Sequence, residues 1–265
     1  MQRTTAEGVL PKQRYRFCTV GQQTIFHGDG TDEDLILAAT HWPGGECQKA
    51  TLVLTDPPYQ MPGIRAASGM AKTDGRITTL HHVKAHGLDN FEAEYLLETL
   101  PLWFPKNTMN ALLWCNKDLL ADYLMGGKLR GWAQNVLIGQ KPSVIPFGGG
   151  HWSDVEYIVH LRKNATWVDG TGGYRGRVLP MVREPYGGHP TPKPVDLLMG
   201  QMALMSREGD LVVDPFCGTG STLVACHRMG RRGIGIEKDA HWFEVACQRL
   251  EEEVNGTGLF HSAMD

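Results

Sequence analysis

Residues 55–59, Thr-Asp-Pro-Pro-Tyr, combine groups that could bind a planar molecule carrying an exocyclic amine. They follow residues 50–54, a short apolar run that is typical of a buried parallel strand. Two consecutive prolines continue neither a strand nor a helix interior, because each lacks an N–H and fixes φ. The Asp56 carboxylate and the Pro57 carbonyl would then face outward as acceptors for the amine hydrogens, with the Tyr59 ring stacked on the planar group. The same residues also fit a strand-ending turn with a surface aspartate.

A second candidate site lies in the last quarter of the sequence, where an apolar strand-like run leads into Asp214-Pro215-Phe216-Cys217-Gly218-Thr219-Gly220-Ser221-Thr222. A helical pattern follows, and strand, glycine turn and helix in this order are typical of nucleotide-binding loops. Gly218 and Gly220 permit close approach of the backbone to a ligand. The loop lacks the G-x-x-x-x-G-K pattern of a phosphate-binding P-loop. The next apolar strand ends at Glu237, where a carboxylate could accept from both hydroxyls of a ribose, so the pattern predicts a nucleoside site.

In this order, the two motifs resemble those of the S-adenosylmethionine-dependent amino-group DNA methyltransferases of the permuted β group. In that family a D-P-P-Y motif precedes a D-P-F-x-G-x-G-[ST] motif, as it does here. A third block, His189-Pro190-Thr191-Pro192-Lys193-Pro194-Val195, is similar to the family's H-P-T-Q-K-P, with Pro192 where glutamine is usual. The resemblance extends from about Ile25 to about Leu250.

The resemblance implies methyl transfer from S-adenosyl-L-methionine to the N6 amino group of an adenine flipped out of DNA, in the setting of restriction–modification. It implies a catalytic set of four consecutive residues: Asp56, Pro57, Pro58 and Tyr59. It also implies cofactor contacts from Asp29, His189, Thr191, Lys193, Asp214, Phe216, Cys217, Gly218, Gly220, Ser221, Thr222 and Glu237. Asp29 fits equally well as the N-cap of a helix at residues 32–39.

Three other functions stay open at this point. A cytosine-N4 DNA methyltransferase would use the same scaffold, but that group more often carries serine at the position of Asp56. Enzymes that methylate RNA or a protein glutamine usually carry asparagine there and lack the permutation. A non-catalytic binding subunit could keep the fold, although the intact Asp56, Tyr59, Gly218, Gly220 and Glu237 argue against it.

The charge of the chain restricts how it could hold DNA. The net charge is −3, so contact with the phosphate backbone must come from local basic patches. Two segments supply such patches, residues 60–90 and residues 162–183. In the second segment, aromatic residues lie between the basic ones. The candidate DNA-binding residues are Arg65, Lys72, Arg76, Lys84, Arg162, Lys163, Arg175, Arg177 and Arg183. The histidines of the first segment lack acidic or cysteine companions at ligand spacing, so no metal site is expected.

The 265 residues predict one methyltransferase domain with a doubly wound, mostly parallel, Rossmann-like sheet and helices on both faces, in a circularly permuted motif order. The catalytic half is expected at about 15–161, a short target-recognition insertion at about 162–188, and the cofactor half at about 189–254. Residues 1–14 resemble a loose arm, and a helix that begins at Lys117 is expected to end at Gly126-Gly127.

The surroundings of the protein are also suggested by the sequence. No signal peptide or apolar run of transmembrane length is visible, and the six cysteines show no C-x-x-C spacing. A cytoplasmic protein without membrane contact is therefore expected, bacterial or phage-encoded, or associated with the nucleoid. DNA is the expected partner, and a homodimer is a further possibility because two-fold dimers are the commonest assemblies.

Overall fold

The computed structural model describes residues 4–10, 13–43, 46–58, 91–142, 154–165, 167–168, 176–182, 186 and 192–256. Its strands are β1 (Thr4–Leu10), β2 (Gln13–Val20), β3 (Gln23–His27), β4 (Leu52–Thr55), β5 (Met109–Cys115), β6 (Ala133–Gln140), β7 (Val155–Lys163), β8 (Val178–Pro180), β9 (Leu211–Asp214) and β10 (Arg232–Glu237). Its helices are α1 (Glu33–Thr40), α2 (Ala93–Thr99), α3 (Lys117–Leu129), α4 (Val195–Met205), α5 (Ser221–Arg228) and α6 (Ala240–Val254), with a 3-10 helix at Leu100–Trp103.

The strands form one ten-stranded sheet in the order β1-β2-β3-β10-β9-β4-β5-β7-β6-β8 within the described residues. The five central strands, β3-β10-β9-β4-β5, run parallel to one another. Antiparallel pairs extend the sheet on both sides, so the predicted parallel pairing holds for the centre and the sheet as a whole is mixed. Because β4 and β9 are neighbours and parallel, the segments that follow them leave the sheet at the same edge.

Apolar residues cover both faces of the sheet, as the near-continuous apolar strands predict. Helices α1, α2 and α3 pack on one face and α4, α5 and α6 on the other. In β4, Val53 points toward the face covered by α1, α2 and α3, while Leu52 and Leu54 point toward the face covered by α4, α5 and α6. Met202 and Met205 of α4 are buried on the same face of the sheet as Leu52 and Leu54.

Three local features of the structure were not predicted from the sequence. The first concerns the amino-terminal arm, where residues 4–10 form β1 and pair antiparallel with β2. A strand at the margin of a sheet has a face exposed to solvent, so its composition can be as polar as that of a loop. The second concerns the 162–188 segment, where the sequence analysis missed the three-residue strand β8, which pairs with β6.

The third concerns helix α3, which does not end at Gly126-Gly127 but continues to Leu129. Both glycines lie at close contacts with neighbouring elements. A Cβ added at Gly126 would overlap the Leu97 side chain of α2, and one at Gly127 would come within 2.8 Å of Leu161 in β7. Here glycine permits close packing and does not terminate the helix.

Candidate active site

A buried hydrogen bond joins the last residues of β4 and β9, just before the turn and the loop that follow them. Thr55 immediately precedes Asp56, and its Oγ1 donates to Oδ1 of Asp214 at 2.6 Å. The backbone N–H of Phe216 donates to the same oxygen at 3.1 Å. Burial raises the pKa of Asp214 to about 6, although hydrogen bonds from Thr222 and Thr55 favour the ionised form. The two predicted motifs, far apart in sequence, are therefore held side by side.

The Asp56 carboxylate is paired with the Lys193 ammonium group. Asp56, Pro57 and Pro58 follow β4 directly, whereas Tyr59 lies outside the described residues. Lys193 Nζ contacts Oδ2 of Asp56 and lies 3.1 Å from Oε2 of Glu156. The structure thus places Lys193 beside the catalytic turn, although the sequence analysis grouped it with the cofactor residues.

Charge compensation favours the ionised forms of Lys193 and Glu156. Burial works against the charged form of Lys193, but Asp56 and Glu156 outweigh it and raise the pKa of the ammonium group. Burial likewise opposes ionisation of Glu156, and Lys193 and Lys141 outweigh it, so the pKa of this carboxyl is lowered. Sequence reasoning missed Glu156. Its signal was an acidic residue within an apolar strand, which is rare unless the charge is paired.

The glycine loop after β9 turns into α5 through two left-handed residues. Gly218 has φ 51°, and Gly220, the N-cap of α5, has φ 79°. The N–H of Cys217 donates to the carbonyl of Ile236 in β10 at 2.9 Å, which ties the loop to the neighbouring strand. Asp214, Cys217, Ser221 and Thr222 are buried and Phe216 is partly buried, so the loop is a packed part of the site.

Glu237 ends β10 and faces the glycine loop. Its Oε2 accepts from the N–H of Gly218 at 2.9 Å, and its Oε1 accepts from the N–H of Asp239 at 2.7 Å. Burial raises the pKa of Glu237 to about 7 despite these two hydrogen bonds. The predicted neighbourhood of Glu237 and the loop is thus present in the structure.

Asp29 lies in the turn after β3, which is hydrogen-bonded to the backbone of Glu237. The N–H of Gly28 donates to the Glu237 carbonyl at 3.0 Å. Asp29 accepts from Thr31 and pairs with Lys238 at 2.9 Å; these contacts outweigh burial and lower its pKa. The N-cap of α1 is Asp32, so the capping alternative for Asp29 is wrong.

The structure separates the predicted DNA contacts into two groups. Arg162 and Lys163 end β7, where Lys163 pairs with Met109 at the amino end of β5. The opposite edge, where β4 and β9 end and Asp56 lies, is termed the catalytic edge. The seven residues of β5 separate the two edges by roughly 20 Å. Arg177 is exposed and precedes β8, which pairs with the end of β6 at the catalytic edge.

Several predicted site residues lie outside the described part of the chain. They are Tyr59, Arg65, Lys72, Arg76, Lys84, Arg175, Arg183, His189 and Thr191. Among the described residues, no group of three or more His, Cys, Asp or Glu side chains is arranged to hold a metal ion. Of the helices in this same part of the chain, none combines the length and apolar character that crossing a membrane requires.

Comparisons with known proteins find similarity to DNA methyltransferases. The N6/N4 DNA methylase family model matches residues 152–248. The type II methyltransferase M2.DpnII of Streptococcus pneumoniae is 25% identical over 225 residues, which cover 76% of this chain and 82% of that protein. The type II methyltransferase M.HpaI of Haemophilus parainfluenzae is 43% identical over 68 residues, 26% of this chain and 22% of that protein.

Solved structures share the architecture over nearly the whole chain. The M1.HpyAVI–SAM complex has a TM-score of 0.61 and 22% identity, and the match covers 86% of this chain and 98% of that one. The PvuII cytosine-N4-specific DNA methyltransferase has a TM-score of 0.62 and 13% identity, over 91% of this chain and 94% of that one. These likenesses show that the chain shares the fold of these two proteins, a mixed sheet with helices on both faces. The sequence matches show similarity to DNA methylases of the N6/N4 family over residues 152–248 and to a type II methyltransferase over three quarters of the chain.

Proposed function

We propose that this protein methylates the exocyclic N6 amino group of an adenine flipped out of DNA. The observation that carries the proposal is the position of Asp56, held at the carboxyl end of β4 beside the glycine loop after β9. An aspartate at this position favours adenine. A cytosine-N4 activity is the second candidate, since the PvuII enzyme, which is cytosine-N4-specific, has the same fold.

The cofactor residues that the structure brings together have the right chemistry for an adenosine group. A carboxylate has about four lone-pair sites, so Glu237 can accept two backbone N–H groups and still accept from ribose hydroxyls. Asp29, in the turn after β3, would contact the adenine, and the Phe216 to Thr222 loop would surround the methionine portion. S-adenosylmethionine supplies an electrophilic sulfonium methyl group. His189 and Thr191 remain predicted contacts.

The catalytic residues would act mainly by positioning the substrate amine. The amine of adenine is a poor nucleophile, because its lone pair is delocalised into the ring. Hydrogen bonds from its two hydrogens to the Asp56 carboxylate and the Pro57 carbonyl would localise that pair. Pro58 fixes the shape of the turn, and Tyr59 would stack on the flipped base. Orientation and complementary charge then supply most of the rate enhancement.

The test of this function uses Asp56→Ala, with Asp196→Ala as the control because Asp196 is an exposed residue of α4. Wild type should incorporate tritiated methyl groups into DNA, and digestion to nucleosides should yield N6-methyladenine. Asp56→Ala should abolish transfer while leaving cofactor affinity unchanged, and the control should remain active. Recovery of N4-methylcytosine would favour the second candidate. Normal turnover by Asp56→Ala would refute the role given to Asp56.

The basic residues at the catalytic edge would contact the DNA backbone. Arg177 would take this role because it is exposed and precedes β8 at this edge, whereas Arg162 lies at the opposite edge of the sheet. Arg177→Ala should weaken DNA binding and lower the salt-dependence slope by about 1, as expected for loss of one phosphate contact. Arg162→Ala is the matched comparison. Equal effects of the two variants would mean that DNA reaches both edges. Arg65, Lys72, Arg76, Lys84, Lys163, Arg175 and Arg183 remain predicted contacts, and homodimer formation remains a prediction for light scattering.

A further inference from the structure

A row of alternating charges lies behind the Asp56 carboxylate. Lys193 Nζ contacts Asp56 and lies 3.1 Å from Glu156, whose other carboxylate oxygen lies 3.2 Å from Lys141 Nζ. The inner two members, Lys193 and Glu156, have side chains only 7% and 10% exposed, while Asp56 and Lys141 are 23% and 32% exposed. Two positive and two negative groups therefore form a cluster that is electrically balanced.

Four separate parts of the fold supply this cluster. Asp56 follows β4, Lys141 follows β6, Glu156 lies in β7, and Lys193 precedes α4. The next residue of β7, Tyr157, pairs with Cys115 at the carboxyl end of β5, which places Glu156 at the catalytic edge. The Lys193 ammonium group also lies 5.1 Å from the centre of the Trp114 ring, a favourable cation–π distance.

The arrangement favours a specific task for Glu156. Removing one partner of a buried ion pair leaves the other charge uncompensated, which is strongly unfavourable. Glu156 and Asp56 share the same ammonium group, so the position of Lys193 depends on both carboxylates. A carboxylate whose Oδ2 is anchored in this way cannot rotate freely, and its orientation toward a substrate amine is set in advance.

We propose that Glu156 is a positioning residue for methyl transfer, which holds Lys193 against Asp56 and thereby fixes the orientation of the catalytic carboxylate. The proposal rests on the function proposed above for Asp56. It is independent of whether the methylated base is adenine or cytosine, because either base presents an exocyclic amine to the same acceptor.

The first experiment compares Glu156→Gln with Glu94→Gln. Glu94 is a suitable control because it pairs with Arg130 on the surface of the catalytic half. Total transfer of tritiated methyl groups to DNA is measured, so base identity does not affect the result. Glu156→Gln should lower kcat by about 10- to 100-fold, the effect of a small misplacement of a reacting group, with KM for S-adenosylmethionine unchanged. Glu156→Asp should recover part of the loss, and Glu94→Gln should behave as wild type.

A pH profile separates positioning from general damage to the fold. Within the described residues, the groups facing Lys193 include the carboxylates of Asp56 and Glu156 and the Trp114 ring, with Lys141 and the Cys115 thiol beyond them. Loss of the Glu156 charge should lower the pKa of Lys193. The alkaline decline of kcat should therefore move to lower pH in Glu156→Gln, and an unmoved decline would contradict the proposal.

A double-mutant cycle with Lys193→Met tests whether Glu156 acts through Lys193. Glu156→Gln should change kcat little in the Lys193→Met background, because the ammonium group it positions is absent. If Glu156→Gln lowers kcat by the same factor in the wild-type and Lys193→Met backgrounds, the proposal is overturned. A wild-type kcat for Glu156→Gln alone would also overturn it. A crystal structure of Glu156→Gln provides a readout that does not need activity. The contact between Lys193 Nζ and Asp56 should be lengthened there, and an unchanged contact would likewise overturn it.

Discussion

Cofactor binding should depend on pH through Glu237. The pKa of this carboxyl is raised from 4.5 to about 7 by burial, and ribose hydroxyls would donate to its ionised form. Binding should therefore favour the carboxylate, strengthen as pH rises through 7, and release a proton when it occurs below that pH. Between pH 8 and pH 6 the ionised fraction falls about tenfold, which corresponds to about 1.4 kcal/mol of binding free energy.

Calorimetric titration with S-adenosylmethionine at pH 6, 7 and 8 measures this effect. Repeating each titration in buffers of different ionisation enthalpy gives the number of protons released. The ligand has an α-amino group that titrates near the same range, so wild type must be compared with Glu237→Gln. The variant should bind more weakly at pH 8 and show only the pH dependence of the ligand itself.

The result that would refute this reasoning is equally clear. If wild type and Glu237→Gln share one pH dependence and release the same number of protons, Glu237 does not change its ionisation on binding. The carboxylate would then have only a structural role, as the acceptor for the N–H groups of Gly218 and Asp239.

Two further predictions concern the links that assemble the site. Thr55→Val removes the hydroxyl that donates to buried Asp214, and should lower the free energy of unfolding in urea by about 1–3 kcal/mol, because the acceptor loses a partner; unchanged stability would show that the link is dispensable. Gly30→Ala should destabilise the protein and weaken cofactor binding, because the added Cβ would overlap the carbonyl oxygen of Pro215 at the start of the glycine loop. Gly200→Ala in α4 is the control, since a Cβ there meets no atom within 4 Å. This variant should raise the free energy of unfolding by roughly 0.5–1 kcal/mol. Equal losses of stability in both variants would contradict the steric argument.

Local chemistry made several parts of this protein predictable. Apolar runs without alternation indicated buried parallel strands before Asp56 and before Asp214, and both are present. Val195 follows Pro194 directly and begins α4, and Asp239 caps α6. These features depend on neighbouring residues, and capping, strand burial and proline geometry act over a few positions.

Whether a glycine or a polar segment ends an element is not a local property. Gly126 and Gly127 stay inside α3 because Leu97 and Leu161 lie against them, and the polar residues 4–10 pair with β2. Both outcomes depend on partners that are distant in sequence or that need the rest of the sheet.

Which residues meet in the candidate active site also depends on tertiary structure. Asp56 and the glycine loop meet because β4 and β9 are parallel neighbours, and the carboxyl ends of adjacent parallel strands share an edge. The pairing of Lys193 with Asp56, the presence of Glu156 beside it, and the separation of Arg162 from Arg177 required strand order and register. Charge pairs across several strands are invisible to residue spacing, because a shift of one residue in register turns every side chain to the opposite face.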